Sequence, residues 1–325
     1  MRVLTEADVA ALLPIPEAIV VVDRAMRTVS AGGAELPLRN VVPVGGGNFM
    51  GVMPGALGDP PCYGVKLVSL FPGNPARGLS SHRGAVVLFE AETGGAVAMM
   101  DAGLLTAIRT AAASGVATRV LAREEASRLA LIGYGEQAEH HLEAMLAVRP
   151  ITHVHVAGRD AARARAFAGH AAAHHPGLAF EAGGDIRAAV EGADIVCTVT
   201  AAPRPVLDGA WLRPGQHLNV VGASIPSKRE VDDAAVLRSR VFVDYRPSTF
   251  AQAGEIVDMI AAGTIDEAHV RAEIGEVLSG AAPGRGRDDE ITLYRSLGIA
   301  AQDLAAAQHV LEAAQAQGIG TEVAL

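Results

Sequence analysis

One stretch constrains this chain more than any other: Arg128-Leu-Ala-Leu-Ile-Gly-Tyr-Gly-Glu-Gln-Ala-Glu-His140. An apolar run breaks at a glycine turn and passes into a helical pattern, so the stretch reads as strand, turn, helix. Gly133 permits the tight turn, Gly135 lets the backbone approach a pyrophosphate, and small Ala138 lets the helix pack on the strand. The helix N-terminus then offers free N–H groups and a positive dipole end to phosphates. A G-x-G-x-x-A spacing alone also fits an ordinary tight turn, but the strand before it and the helix after it supply the context of a dinucleotide site. Gly133, Tyr134, Gly135, Glu136, Gln137 and Ala138 are therefore candidate cofactor-binding residues.

The next segment extends the unit. Leu142, Met145, Leu146 and Val148 follow helical spacing, and Ile151 to Val156 alternates like a strand, which completes a βαβ unit. The residues closing that second strand select the cofactor in such folds: an acid reaches the ribose 2′-OH of NAD, whereas an arginine accommodates the 2′-phosphate of NADP. Here the order is Ala157-Gly158-Arg159-Asp160, with Arg163 one turn on. Gly158 in place of an acid, with Arg159 and Arg163 beside it, favours NADP(H). Asp160 reads as a helix cap and keeps NAD(H) as the second possibility; the other alternative is that both arginines are simply solvated.

The fold expected is α/β: a Rossmann dinucleotide-binding domain over 114–302, and an α+β substrate and dimerisation domain built from 1–113 with the C-terminal helix in 303–325. At 325 residues, two domains of roughly 150 each are the natural division. Thr5 and Asp8 resemble a capping arrangement before Val9 to Leu13, and Pro16 to Val29 reads as a second helix. Short β-like runs follow at 41–44, 49–53, 63–71, 85–90 and 96–100, and then a long alanine-rich helix over 102–123. Beyond the βαβ unit, helices are expected at 161–174, 185–191, 256–261 and 273–278. Strands are expected at 179–181, 194–200, 218–222 and 241–245, the last of these closing the sheet. Thr198 and Thr200 end a strand that faces the cofactor crevice; they either touch the ribose or phosphates or are plain strand residues. The 281–290 loop reads as mobile and solvated, and 304–314 as an amphipathic helix.

Charge and cysteine content narrow the setting. The net charge is −9, which gives no electrostatic reason to expect nucleic acid. Only Cys62 and Cys197 occur, so no disulfide framework or cysteine-rich metal site is expected, in keeping with a reducing cytoplasm. The start lacks a signal peptide's apolar region, and no run approaches the ~20 apolar residues of a spanning helix. The adjacent pairs His140-His141 and His174-His175 point apart on a helix, so no metal is expected there.

The first region carries isolated cations amid apolar sequence: Arg39, Lys66 and Arg109. Buried cations are rarely left unpaired, so each needs a carboxylate from the protein or from a ligand. Taken singly, each also fits a structural ion pair or a snorkelling side chain. Three of them ahead of a cofactor fold suggest an anionic substrate, with arginine suited to bidentate carboxylate binding and lysine to proton donation once burial lowers its pKa.

At this point the chain resembles the ornithine cyclodeaminase and mu-crystallin family. The matching stretches are Pro37 to Pro43, Met53-Pro54, Gly64 to Val68, Ser81 to Phe89, Arg109 to Ala112, Gly133 to Gly135, Val221 to Ser224 and Ile291 to Gly298. The resemblance implies that Arg39, Lys66 and Arg109 hold the substrate carboxylate, with Lys66 beside the reacting carbon, and that Met53 and His82 line the substrate site. It adds Thr110, Val221, Ser224, Ser296 and Gly298 to the cofactor-binding set, and it implies a homodimer to which the C-terminal helix contributes.

One departure is informative. Cyclodeaminases, and an alanine dehydrogenase of similar sequence, show a Gly-x-Asp-x-Pro-Gly-Lys pattern whose Asp acts on the substrate amine; this chain has Ser224 there. A hydroxyl cannot replace a carboxylate as base near neutral pH. Serine resembles the ketimine-reducing members instead, which implies NAD(P)H-dependent reduction of an α-imino acid to an L-amino acid, with Lys66, Arg39, Arg109 and Ser224 as the catalytic set. The alternatives are a cyclodeaminase or amino-acid dehydrogenase that uses another acid, and a non-catalytic protein that binds NADPH and a small carboxylate. Ser224 could also do no more than cap a turn.

Overall fold

The computed structural model describes residues 1–324. The chain divides into two compact units, residues 1–112 with the segment from 299 onward, and residues 113–298.

The first unit opens with β1 (Arg2–Leu4), α1 (Glu6–Leu12), α2 (Ile15–Ser30), β2 (Ala34–Glu35) and β3 (Asn40–Gly45). It continues with β4 (Asn48–Gly58), β5 (Pro61–Leu70), β6 (His82–Phe89), β7 (Ala96–Asp101) and the start of α3 (Ala102–Leu121). Thr5 starts α1 as expected: its hydroxyl accepts from the Asp8 amide while the Asp8 carboxylate accepts from the Thr5 amide. Ile15, Ile19, Val22, Met26 and Val29 form the buried stripe of α2. β4, β5, β6 and β7 make an antiparallel sheet, with β2 and β3 both paired to β4 and β1 added parallel to β7. β1, three residues long, is too short to show an alternation, so the sequence did not reveal it.

The second unit holds β8 (Arg128–Ile132), α4 (Glu136–Val148), β9 (His153–Ala157), α5 (Ala161–His174), β10 (Ala179–Gly183), α6 (Ile186–Glu191), β11 (Ile195–Thr198) and β12 (His217–Val220). Then come α7 (Asp233–Arg238), β13 (Arg240–Val243), α8 (Arg246–Gln252), α9 (Gly254–Ala261), β14 (Val270–Glu273), α10 (Ile274–Leu278) and β15 (Thr292–Arg295). All eight strands are parallel, in the order β10-β9-β8-β11-β12-β15-β13-β14. The run β10-β9-β8-β11-β12 is that of a doubly wound nucleotide-binding sheet, with its topological switch between β8 and β11. The α/β class with a Rossmann unit stands as expected.

One expectation needs correction here. The strand at 241–245 does not close the sheet, because β14 and β15 follow it. β15 escaped notice because its four residues, Arg295 among them, are all buried, so it has no alternation to read. The 281–290 segment is a largely exposed loop, as expected, and Arg285 ties its middle down: Nε donates to Leu121 O at 2.7 Å and Nη2 to Gln216 O at 3.1 Å.

The chain returns to the first unit through α11 (Ala300–Gln317) and β16 (Thr321–Glu322), the latter antiparallel to β1. α11 packs on α2 and on strands β4, β5 and β6. Its first two turns, Ala300 to Ala307, are buried on every side. The amphipathic helix expected at 304–314 is thus a core helix at its start, and only its second half has an outer face.

Candidate active site

The expected cations converge inside the first unit. Lys66 stands in mid-strand on β5, opposite Met53 of β4 and Val86 of β6, and is 1% exposed. Its Nζ lies 2.8 Å from Oδ1 and 2.7 Å from Oδ2 of Asp303, a fully buried residue of α11. Arg109 of α3, also buried, donates from Nε to the same Oδ1 at 2.8 Å and from Nη1 to Gln302 Oε1 at 2.9 Å. Thr106 Oγ1 is 3.4 Å from Lys66 Nζ. The protein therefore supplies the carboxylate that two of the cations require, and supplies it from the far end of the chain.

The electrostatics follow from this packing. Burial drives the Lys66 ammonium down to about 7, with Arg109 and Arg39 pushing in the same direction and Asp303 opposing them. Burial alone would raise the Asp303 carboxyl, but Arg109 and Lys66 hold it below the ordinary value. His82, at the start of β6, is pushed down to about 4 by burial and by Lys66, Arg109 and Arg39. It is therefore neutral near pH 7, with Nδ1 at 3.0 Å from Ser81 Oγ. Arg39, Lys66, His82 and Arg109 thus share one field, next to Met53, which is buried. Thr110, adjoining Arg109 on α3, is buried as well.

In the second unit the remaining candidates cluster at the carboxyl ends of β8, β9, β11, β12 and β15. Gly133 has φ +117°, and a Cβ there would lie 2.9 Å from Val199 O, so only glycine fits. Gly135 is the N-cap of α4, without a side-chain cap, and a Cβ on it would meet nothing within 4 Å. Ala138 is fully buried against the strand. Tyr134 reaches toward the end of β9: its hydroxyl accepts from the Asp160 amide at 3.0 Å, Arg163 sits 5.0 Å above its ring, and a Cβ on Gly158 would lie 2.6 Å from that ring. Asp160 caps α5, accepting from the amides of Ala162 and Arg163. Arg159 is exposed.

A nicotinamide dinucleotide fits this crevice. The uncapped α4 terminus and the open space at Gly135 suit a pyrophosphate. Two candidates also carry buried polar atoms without a hydrogen-bond partner, Gln137 Oε1 and Ser296 Oγ, which a ligand would satisfy. Thr198 and Thr200 both give their hydroxyl protons to Glu230, at 2.9 and 2.7 Å. Val221 pairs its amide with Thr198 O at 3.0 Å, and Ser224 lies half-buried in the loop beyond β12. Gly298, at φ +74°, donates to Asp244 Oδ2 at 2.6 Å.

The sequence profile of the ornithine cyclodeaminase/mu-crystallin family matches residues 1–318. The chain belongs to this family. Within it, the ketimine reductase mu-crystallin of mouse is 35% identical over 288 residues, 86% of each chain. The structure of Thermococcus litoralis Δ1-pyrroline-2-carboxylate reductase in complex with NADH and L-proline superposes with a TM-score of 0.96 at 36% identity, covering 99% of this chain and 100% of that one. An archaeal alanine dehydrogenase dimer with bound NAD gives 0.92 at 32% identity, covering 100% of this chain and 99% of the other.

Sequence reasoning missed Asp303, Gln302 and Glu230. A signal for Asp303 was present: an acid set in Ala-Ala-Gln-Asp-Leu-Ala-Ala-Ala, a helix start with no polar face on which to place it.

Proposed function

We propose that the protein reduces the C=N bond of an α-imino acid to an L-amino acid at the expense of NADPH, or less readily NADH. The observation that carries the reading is the buried Lys66, with its pKa brought near 7 and its ammonium held by Asp303 beside Arg109. A lysine titrating near working pH is a competent general acid, and reduction of an imine needs one. When bound, the reduced nicotinamide supplies the hydride that the imine carbon accepts.

The chain's own residues do the rest. Arg109 has Nε and Nη1 committed to Asp303 and Gln302; its Nη2 is left to meet the substrate carboxylate together with Arg39. Lys66 gives a proton to the imine nitrogen as the carbon gains hydride, becomes a neutral amine against Asp303, and recovers its proton from water. Neutral His82 can donate or accept a hydrogen bond but brings no charge. Ser224 offers a hydroxyl and no base, which suits reduction of a preformed imine better than removal of a proton from an amine. Met53 lines the pocket beside Lys66.

NADP(H) is supported over NAD(H) by the capping role of Asp160, whose carboxylate is occupied by two backbone amides, and by Arg159 and Arg163 at the same strand end. Of the remaining cofactor residues, Gln137 and Ser296 offer side-chain oxygens that have no partner in the protein, and the others act through backbone: the turn at Gly133 to Ala138, and the strand ends at Thr198, Thr200, Val221 and Gly298. A homodimer is supported by β3, exposed along its whole length, where Val41, Val42 and Val44, with Leu38 just before the strand, are 39% to 49% exposed. No helix among the described residues is long and apolar enough to cross a membrane.

The test is oxidation of NADPH and, separately, of NADH by the purified protein. The substrates are Δ1-pyrroline-2-carboxylate, Δ1-piperideine-2-carboxylate, and pyruvate or oxaloacetate with ammonia or methylamine. Turnover of any imine with NADPH preferred supports the reading. No imine turnover, with ammonia released from ornithine in the presence of catalytic NAD, would replace it with the cyclodeaminase reaction.

A further inference from the structure

Glu230 lies between β12 and α7 and is fully buried. Its Oε1 accepts from the Thr200 amide at 2.6 Å and the Thr200 hydroxyl at 2.7 Å. Its Oε2 accepts from the Thr198 hydroxyl at 2.9 Å and the Gly222 amide at 2.5 Å. One side chain thus joins the end of β11 to the loop that leaves β12. Its own carbonyl accepts from the amides of Val206 and Leu207, so a third segment is tied to the same point.

The joint is tight. A Cβ on Gly222 would lie 2.0 Å from Thr200 O and 2.7 Å from Glu230 Oε1, so the two strand ends approach as closely as glycine permits. Beyond it, Ala223 O accepts from Arg295 Nη2, whose guanidinium is itself buried and paired with Glu255. The segment 222–223 is therefore gripped from two directions, just ahead of Ser224.

In an open parallel sheet the ligand sits outside the carboxyl ends of the strands, and each half of a Rossmann sheet takes one mononucleotide. The α4 side of the switch takes the adenosine half, and β11, β12 and β15 take the nicotinamide half. We propose that Glu230 is a positioning residue for the nicotinamide half of the cofactor, holding the ends of β11 and β12 in the shape that receives it. The proposal rests on the dinucleotide-binding reading above.

The hydrogen-bond chemistry makes it sharp. Each carboxylate oxygen faces one backbone N–H, a group that can only donate. Glutamine, the same size, must turn its NH2 toward one of those amides in either orientation. Glu230→Gln is therefore not conservative, although it leaves volume unchanged.

The experiment measures dissociation constants of the full-length protein for NADPH and for 2′,5′-ADP, which carries the adenosine half alone, together with the thermal midpoint. Glu230→Gln should weaken NADPH by roughly tenfold or more, the loss of one hydrogen bond to a charged group, and leave 2′,5′-ADP within about twofold. A merely structural role would lower the midpoint without separating the two ligands. Unchanged NADPH binding, or equal loss of both ligands, overturns the proposal. Should Glu230→Gln not fold, Thr198→Val removes one buried hydroxyl donor to Oε2 and should give a smaller loss of the same selective kind. If it discriminates between neither ligand, the proposal falls. Wild-type protein that binds none of NADPH, NADH and 2′,5′-ADP would overturn the dinucleotide reading itself, and this inference with it.

Discussion

Lys66 and Asp303 form a fully buried ion pair at 2.7 Å between the middle of β5 and the first turn of α11. Such a pair contributes little over a well-packed apolar substitute, but removing one member leaves the other charged and unmatched, at a cost of about 3 to 5 kcal/mol. Asp303→Asn should therefore lower the free energy of unfolding by about 3 kcal/mol or more, since it strands both Lys66 and Arg109. Urea denaturation checks this, and a midpoint equal to wild type would show that the pair is not the anchor described here.

The same pair sets a pH profile. Lys66 titrates near 7 in the folded protein because burial and Arg109 outweigh Asp303. If it is the proton donor, the rate of imine reduction should fall as pH rises through about 7. Asp303→Asn removes the opposing influence, so the descending limb should move to lower pH. A limb that stays in place would assign it to another group.

Lys66→Met should abolish turnover, by about 10²-fold or more for a lost general acid. It should leave the dissociation constant for NADPH unchanged, because the candidate dinucleotide crevice lies in the second unit. Full kcat in this variant would remove Lys66 from the mechanism.

What could be read from the sequence divides along physical lines. The glycine turn was legible because Gly133 is required by local geometry, a positive φ and a carbonyl 2.9 Å from any Cβ. The cations were legible because a charge in an apolar run is an anomaly on its own strand. Their partner was not, because Asp303 meets Lys66 across 237 residues and nothing local marks that pairing. Glu230 escaped for a related reason: its four donors come from two distant stretches of chain, 198–200 and 222, and a carboxylate between Arg229 and Val231 looks like an ordinary surface acid. A short, fully buried strand such as β15 lacks the alternation that solvent imposes on one face, and β14, four residues long, is too short to display one clearly.

Two fully buried histidines, His141 and His217, with the half-buried His82, predict how the fold responds to acid. Burial pushes His82 and His141 down to about 4 and His217 to about 3. Each is neutral when folded and takes a proton more readily when unfolded, so the unfolded state binds more protons between about 6.5 and 4. Stability must then fall as pH falls through that window, by on the order of 3 kcal/mol for each fully buried histidine. His141, held by Ser114 Oγ at 3.0 Å and Gln137 O at 2.7 Å, is the cleanest to test. His141→Gln should flatten the dependence of unfolding free energy on pH between 6.5 and 4, and an unaltered slope would show that His141 does not contribute.

Gly133 and Gly135 sit two residues apart yet should fail in different ways. Alanine at Gly133 must adopt φ +117° with its Cβ 2.9 Å from Val199 O, so Gly133→Ala should cost about 2 kcal/mol or more of stability whether or not cofactor is present. Gly135 has φ −93°, and its Cβ would enter open space. Gly135→Ala should therefore keep the wild-type thermal midpoint in the absence of ligand, but it should lose affinity for NADPH, because that space is where the backbone would meet the pyrophosphate. Thermal unfolding of both variants with and without NADPH separates the two effects. If Gly135→Ala bound NADPH as wild type does, the pyrophosphate would not lie against this turn, and the crevice would have to accept its cofactor in another pose.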